Sequence, residues 1–180
     1  MKILKKIALG LLIIIALLVI GSFFISPKSH VERSIVINAS DSVVFSKINN
    51  LKAFVTWMPW AKMDPATQME FYGPESGIGH GYAWKSDKMG NGKMTIAESI
   101  PNTRIAMNME FEGMGNSVAA FDFAKEAAGV KVTWALDSNG DGMPAYMMVP
   151  HKYFSLFMDQ MVGGDFEKGL ADLKALSEAK

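Results

Sequence analysis

Residues 7–25 read IALGLLIIIALLVIGSFFI, nineteen consecutive positions without a charged side chain. A helix needs roughly twenty apolar residues to cross the hydrocarbon core of a bilayer. A surface helix of a soluble domain would keep one polar face, and this stretch has none. It therefore reads as a transmembrane helix, and it divides the chain into a cytoplasmic tip and anchor (residues 1–26), a linker (27–30) and a folded domain (31–180). Lys2, Lys5 and Lys6 precede the apolar run, and only Lys28 closely follows it. The positive-inside rule then places the N-terminus in the cytoplasm and the domain outside a bacterial inner membrane, as a single-pass periplasmic or extracellular unit. The competing reading is a cleaved signal peptide. Its apolar region would be unusually long, and residues 21–30 show no A-x-A-like cleavage site.

The remaining chain is about 150 residues long, the size of one hydrophobic core. The whole chain carries 18 basic and 18 acidic side chains; without the three N-terminal lysines the balance is mildly acidic. No basic patch marks a nucleic-acid binder. There is no cysteine, which excludes disulfides, zinc–thiolate sites and lipoprotein acylation.

Within the domain, residues 31–38 are rich in β-branched side chains and predict a strand. Ser40 and Asp41 cap a short amphipathic helix carrying Val43, Val44, Phe45 and Ile48. A second short helix runs from Phe54 to about Trp60, interrupted at Pro59. The period then changes to two. Strands are predicted over 68–72, around Tyr82 and Trp84, over 93–100, 104–111, 117–125 and 130–136. Asn91-Gly92, Pro101-Asn102 and Ala128-Gly129 are the turn signals between them, Asn-Gly being suited to a two-residue hairpin. From Pro150 onward Phe154, Phe157, Met158, Met161, Val162, Phe166, Leu170, Leu173 and Leu176 recur at three and four, predicting one long helix whose apolar stripe faces the sheet. Gly163-Gly164 weakens its middle, and Gly169 leaves room on its apolar face.

The order is strand, two short helices, six strands, long helix. Short strands joined by short turns favour an antiparallel meander. The fold class is α+β: a curved antiparallel sheet of about seven strands wrapped around a long C-terminal helix, plus the N-terminal anchor. That order, with SIVINAS at 34–40, WMPW at 57–60, FYGPESGIGHGYAW at 71–84 and DFEKGLADLK at 165–174, resembles the helix-grip fold of the START/polyketide-cyclase (SRPBCC) superfamily. The resemblance covers residue 31 to the C-terminus. It implies a deep apolar cavity between sheet and helix that holds lipids, sterols, polyketides or hormones in different branches, only some of which are enzymes. No catalytic residue carries over.

Strand and helix phase put Tyr82, Trp84, Met94, Ile96, Ile105, Met107, Met109, Phe111, Phe121, Phe123, Val132 and Trp134 on the inner face, with Met158 and Met161 opposite on the helix and Trp57 at the entrance. Fourteen methionines suit a cavity that adapts to varied apolar guests, and equally an ordinary filled core. Two carboxylates sit in apolar phase. Glu98 shares the phase of Met94, Ile96 and Ile100, and Asp165 lies in the helix stripe. An inward carboxylate can orient a ligand hydroxyl or act as general acid/base. The plainer reading of each is a cavity mouth or an ion pair with a neighbour such as Arg104.

His30, His80 and His151 form no catalytic or metal spacing. Met107-Asn108-Met109 is explained by strand period rather than by copper(I). Residues 137–142 (DSNGDG) begin like a calcium loop, but Met148 stands where the bidentate glutamate belongs, so they read as a polar turn. Residues 77–81 lack a phosphate-loop ending and read as a flexible loop. No metal or cofactor is expected. The expected function is binding of a hydrophobic small molecule or lipid, as carrier or sensor at the membrane. The alternatives are a cyclase/dehydratase-like enzyme using Glu98 or Asp165, and an envelope protein-interaction module.

Overall fold

The structure, a computed structural model, describes residues 2–179. Helix α1 (Lys2–Ser22) carries the charge-free run. An 18-residue stretch of it has a mean hydropathy of 2.7 with no buried residue, so the helix is long and apolar enough to cross a membrane; Ser22 at its end is buried. Strand β1 (Ser29–Ile37) leads into α2 (Asp41–Asn49) and α3 (Leu51–Trp57), followed by a 3₁₀ turn over Pro59–Lys62. Asn50 ends α2 and caps α3, its side chain accepting hydrogen bonds from the Lys52 and Ala53 amides. Six strands follow: β2 (Gln68–Tyr72), β3 (Gly81–Ser86), β4 (Gly90–Ile100), β5 (Arg104–Phe111), β6 (Gly115–Glu126) and β7 (Gly129–Ser138). They form one antiparallel seven-stranded sheet in the order β1-β7-β6-β5-β4-β3-β2. The chain ends in α4 (Met148–Ser155) and α5 (Met158–Glu178). The α+β architecture of a curved sheet around a long C-terminal helix is thus as the sequence implies.

Three local expectations are corrected. The first hairpin turn lies at residues 87–89, with Ser86 opposite Gly90, and Asn91-Gly92 are inside β4. Gly90 supplies the positive φ (72°) that closes the three-residue loop. Gly92 is needed elsewhere: a Cβ there would collide with the Trp84 ring. Next, β4 carries a bulge. Ile96 faces Met107, but Glu98 faces Ala106, so Ala97 is the extra residue and every side chain beyond it changes face. Last, the C-terminal helix is two helices. The chain turns at Phe157 (φ −114°, ψ 3°), and Phe154, Leu156, Phe157 and Met161 are more than half exposed.

α5 makes its closest approach along β1. Arg33, in phase with Val31 and Ile35, reaches from β1 into the helix where Gly163 has no side chain, and a Cβ at Gly163 would collide with the guanidinium. There Arg33 donates to Asp159 (2.7 Å) and to Glu167 (2.9 Å), one turn to either side. A second opening lies at Gly169, where a Cβ would come within 2.9 Å of Trp134 Cζ3 and 3.0 Å of Pro59 Cδ. Between these two points Phe166 stacks on Trp134 with ring centroids 4.0 Å apart.

The neighbouring glycines should therefore behave differently. Nothing lies within 4 Å of a Cβ at Gly164. Gly164→Ala should gain the helix propensity of alanine, roughly 1 kcal/mol, whereas Gly163→Ala should forfeit that gain by pushing Arg33 off Asp159 and Glu167. Urea unfolding of the two variants measures the difference, and equal stabilisation would show that the Arg33 site is not constrained. The same ion pair sets a pH dependence. Hydrogen bonds from Arg33 hold the Asp159 carboxyl below the usual aspartate range. Its contribution is complete above an ordinary aspartate pKa of about 3.9 and is lost as pH falls through the lower folded value. Asp159→Asn should flatten the acid limb of the melting curve and leave the neutral limb parallel to wild type.

Candidate functional site

The inner face of the sheet brings together the side chains that strand phase assigns to it. Tyr82, Trp84, Met94, Ile96, Ile105, Met107, Met109, Phe121, Phe123, Val132 and Trp134 are all buried, and Phe111 packs against them half-buried. Trp57 is buried beneath the same face rather than at an entrance (1% exposed), and its indole N–H donates to the Lys47 carbonyl. Met158 packs at the edge of this core. Met161 does not join it: at 57% exposed it points away from the sheet.

Two halves differ in character. Near β6 and β7 the face is aromatic. Trp57 meets Phe54, Phe121 and Trp134 edge-on at centroid separations of 4.9–6.2 Å, and Phe121 and Phe166 stack on Trp134. These rings fill the space between sheet and α5 themselves. Near β2 to β5 methionines are interleaved with a second run of rings, Phe71, Tyr82, Trp84 and Phe111, at centroid separations of 5.6–5.7 Å. Register aligns Phe71, Tyr82, Met94 and Met109 across four strands, and aligns Ile96, Met107 and Ala119 beside them. The thioethers here are flexible and the alanine is small, so this half can repack around a guest.

His80 extends the second row. It keeps the phase of Tyr82 and Trp84, and its carbonyl accepts from the Ile96 amide. The ring is 2% exposed, it meets Phe71 edge-on at 6.3 Å, and neither ring nitrogen has a hydrogen-bond partner. The loop before it is pinned rather than loose, because the Gly77 amide donates to Asn49 O and the Gly79 amide to Ile96 O. An imidazole unpartnered in an apolar interior is costly, and such a group is a polar handle for a ligand. In the sequence His80 stands out only as part of a glycine-rich loop, and its alternation with Tyr82 and Trp84 is the signal that places it inside. Trp134 is a second case, its buried indole N–H having no partner. Burial also pushes the Tyr82 phenol up.

The carboxylate candidates lie elsewhere. Beyond the bulge Glu98 turns to the outer face, where Arg104 donates to it (3.2 Å) and also to Asp122 (2.7 Å). This corrects the inward placement of Glu98, and Ser99 takes the inward position, donating to Asn49 Oδ1. Asp165 stays at the rim of the core and accepts from the Trp60 indole N–H at 3.0 Å. In the polar turn Asn139 donates to Asp141, while Asp137 is bonded to His30 at 2.8 Å. That turn borders an open depression of about 630 Å³, also lined by Asn108, Glu110, Met109 and Val118.

His151 is buried, its Nε2 2.8 Å from the Pro27 carbonyl oxygen. Three neighbours in α4 also donate to the end of α1 and the segment after it: Lys152 to Ser22 O, Tyr153 to Leu18 O and Ser155 to Ser26 O.

Comparison with solved structures shows the same fold in proteins of distant sequence. A Chromobacterium violaceum protein is 14% identical with a TM-score of 0.59, covering 84% of this chain and 99% of its own. A Rhizobium leguminosarum protein is 16% identical at 0.57, covering 85% and 96%. A Bacillus halodurans protein is 11% identical at 0.59, covering 83% and 96%. No curated protein matches the chain. Residues 28–178 match the family described as polyketide cyclase / dehydrase and lipid transport, which with the fold supports a hydrophobic-ligand-binding domain. With that match spanning nearly all of the chain outside α1, the protein belongs to the polyketide cyclase/dehydrase and lipid transport family.

Proposed function

We propose that this protein holds an apolar small molecule or lipid on the inner face of its sheet, as a carrier or sensor tethered to the outer face of the inner membrane. The observation that carries the reading is His80, a buried imidazole with both nitrogens free beside the methionine-rich half of an otherwise apolar interior. An apolar guest bearing one polar group would displace Met94, Met107 or Met109 and satisfy the imidazole. The aromatic half would stay fixed and set the depth of the site. In this reading α1 is a retained anchor, with Lys2, Lys5 and Lys6 on the cytoplasmic side. The bonding of Lys152, Tyr153 and Ser155 to residues 18–26 favours retention over cleavage, since cleavage would strip the helix end from its partners.

Native mass spectrometry of the full chain released from detergent micelles should show a reproducible apolar adduct that organic extraction removes. A wild-type chain that is repeatedly adduct-free would overturn the proposal. His80→Leu should weaken retention roughly 10- to 100-fold, the worth of one hydrogen bond to a ligand in an apolar site. It should leave the melting temperature of the ligand-free chain equal or higher, because no native hydrogen bond is removed. Glu98→Gln should leave the adduct intact and change stability by less than about 1 kcal/mol, as for an exposed ion pair. Loss of the adduct in that variant would return Glu98 to the site.

A further inference from the structure

α1 is long and apolar enough to cross a membrane, although the charge-free part of the helix is shorter than the hydrocarbon core. Its charge-free part runs from Ile7 to Ser22, sixteen residues. At 1.5 Å per residue that is about 24 Å, against a hydrocarbon core of about 30 Å. The charge-free run continues past the helix through Phe23, Phe24 and Ile25, so the outer end of the span lies where α1 meets the domain.

What surrounds it is α4. Tyr153 donates to the Leu18 carbonyl, one helical turn below Ser22, and a Cβ on Gly21 would lie 2.6 Å from the same phenol oxygen. Lys152 donates to the Ser22 carbonyl. α4 is therefore fixed at the level of the last turn of α1, about 6 Å below its end at its deepest contact. Interfacial helices lie about 5–10 Å into the boundary between headgroups and acyl chains.

The side chains at that level are apolar and uncovered. Phe154, Phe157 and Met161 follow one another at spacings of three and four, with Leu156 beside them, and all four are between 53% and 58% exposed. Phe23 and Phe24, just past α1, are 77% and 87% exposed. Other exposed apolar side chains of the domain, such as Ile78 and Met114, are scattered, whereas these cluster at one corner, and a clustered apolar patch marks a surface with a partner. Its continuity with the apolar sides of α1 makes that partner the lipid of the same bilayer. Tyr153 and Lys152 are the residue types that settle at the headgroup level.

We infer that the α4–α5 corner, through Phe154, Leu156, Phe157 and Met161, lies in the outer membrane–water boundary together with Phe23 and Phe24, so that the domain rests on the bilayer instead of swinging from its anchor. This inference rests on α1 being a retained membrane span.

The chain has no cysteine, so single sites can be labelled in the full-length protein. Phe157→Cys, Met161→Cys, Ile13→Cys and Asn102→Cys are each coupled to a small environment-sensitive fluorophore. The proteins are reconstituted in phosphatidylethanolamine/phosphatidylglycerol vesicles containing a lipid with a nitroxide near the top of its acyl chain. All four side chains are exposed, so the labels do not enter the core. Asn102 sits in the β4–β5 turn at the end of the domain away from α1. Labels at 157 and 161 should be quenched at least about twofold more than the label at 102, the result of insertion at the boundary. If the label at 13 is quenched and those at 157 and 161 match 102, the anchor stands and the docked corner is refuted. A blue-shifted but unquenched label at 157 would also refute it, by showing a protein surface against the patch. If 13 itself is unquenched, the span fails and the inference falls with it.

Discussion

Everything in the domain depends on α5 closing on the sheet, and it can do so because it lacks side chains at two points. Gly163 admits the Arg33 guanidinium and Gly169 admits Trp134 and Pro59. Between them Phe166 comes into face-to-face contact with Trp134. A helix with side chains at both positions would be held off, and the aromatic set of Trp57, Phe121, Trp134 and Phe166 would separate. The Arg33 pairs with Asp159 and Glu167 are partly exposed and modest in energy. Their geometric effect is larger than their energy, because a charged fork seated in a glycine notch fixes where along β1 the helix lies.

That closure divides the inner face by mechanical character. The β6–β7 side is locked by ring stacking, which tolerates little displacement. The β3–β5 side sets Met94, Met107 and Met109 among Tyr82, Trp84 and Ile96, beside Ala119 of β6 and one imidazole without a partner. Interiors normally satisfy their polar groups; the unpartnered His80 lies beside flexible methionines, whereas the unpartnered Trp134 indole N–H is held in a ring stack. The filled state of the interior and a binding role are compatible for this reason: space can be made on the soft side without disturbing the contacts that seat α5.

Much of this is legible in the sequence. The inner-face residues of β3 to β7 follow from alternation alone, because a half-buried strand has one repeating chemical choice at every second residue. Register is legible only up to the point where the backbone breaks it. The bulge at Ala97 leaves no mark in composition, yet it moves Glu98 from the core to the Arg104 pair. The hairpin signal misleads for a related reason. Gly90 and Gly92 stand two apart, and only packing under Trp84 decides that the second is a contact glycine rather than a turn glycine. His80 is obscured by its glycine-rich surroundings, although its phase with Tyr82 places it inside.

The apolar stripe of the C-terminal helix misleads for a geometric reason that also explains the membrane-facing corner. Recurrence at three and four defines one face only if the two spacings alternate; successive steps of four advance the stripe by about 40° each. Met158, Val162, Phe166 and Leu170 are such a run, and it winds around the axis. Met161 and Leu170 are nine residues apart, which is about half a revolution from alignment. Leu170 is buried against the sheet and Met161 is exposed on the opposite side. Met161 is therefore not a failed portion of the core stripe; with Phe154 on α4 and Phe157 at the turn it forms a second, outward apolar surface. A helix start that is apolar on two sides can remove both from water only between two apolar media. One of these is the inner face of the sheet. α1 and the bonds that tie α4 to its last turn supply the other, provided that the span is lipid-embedded.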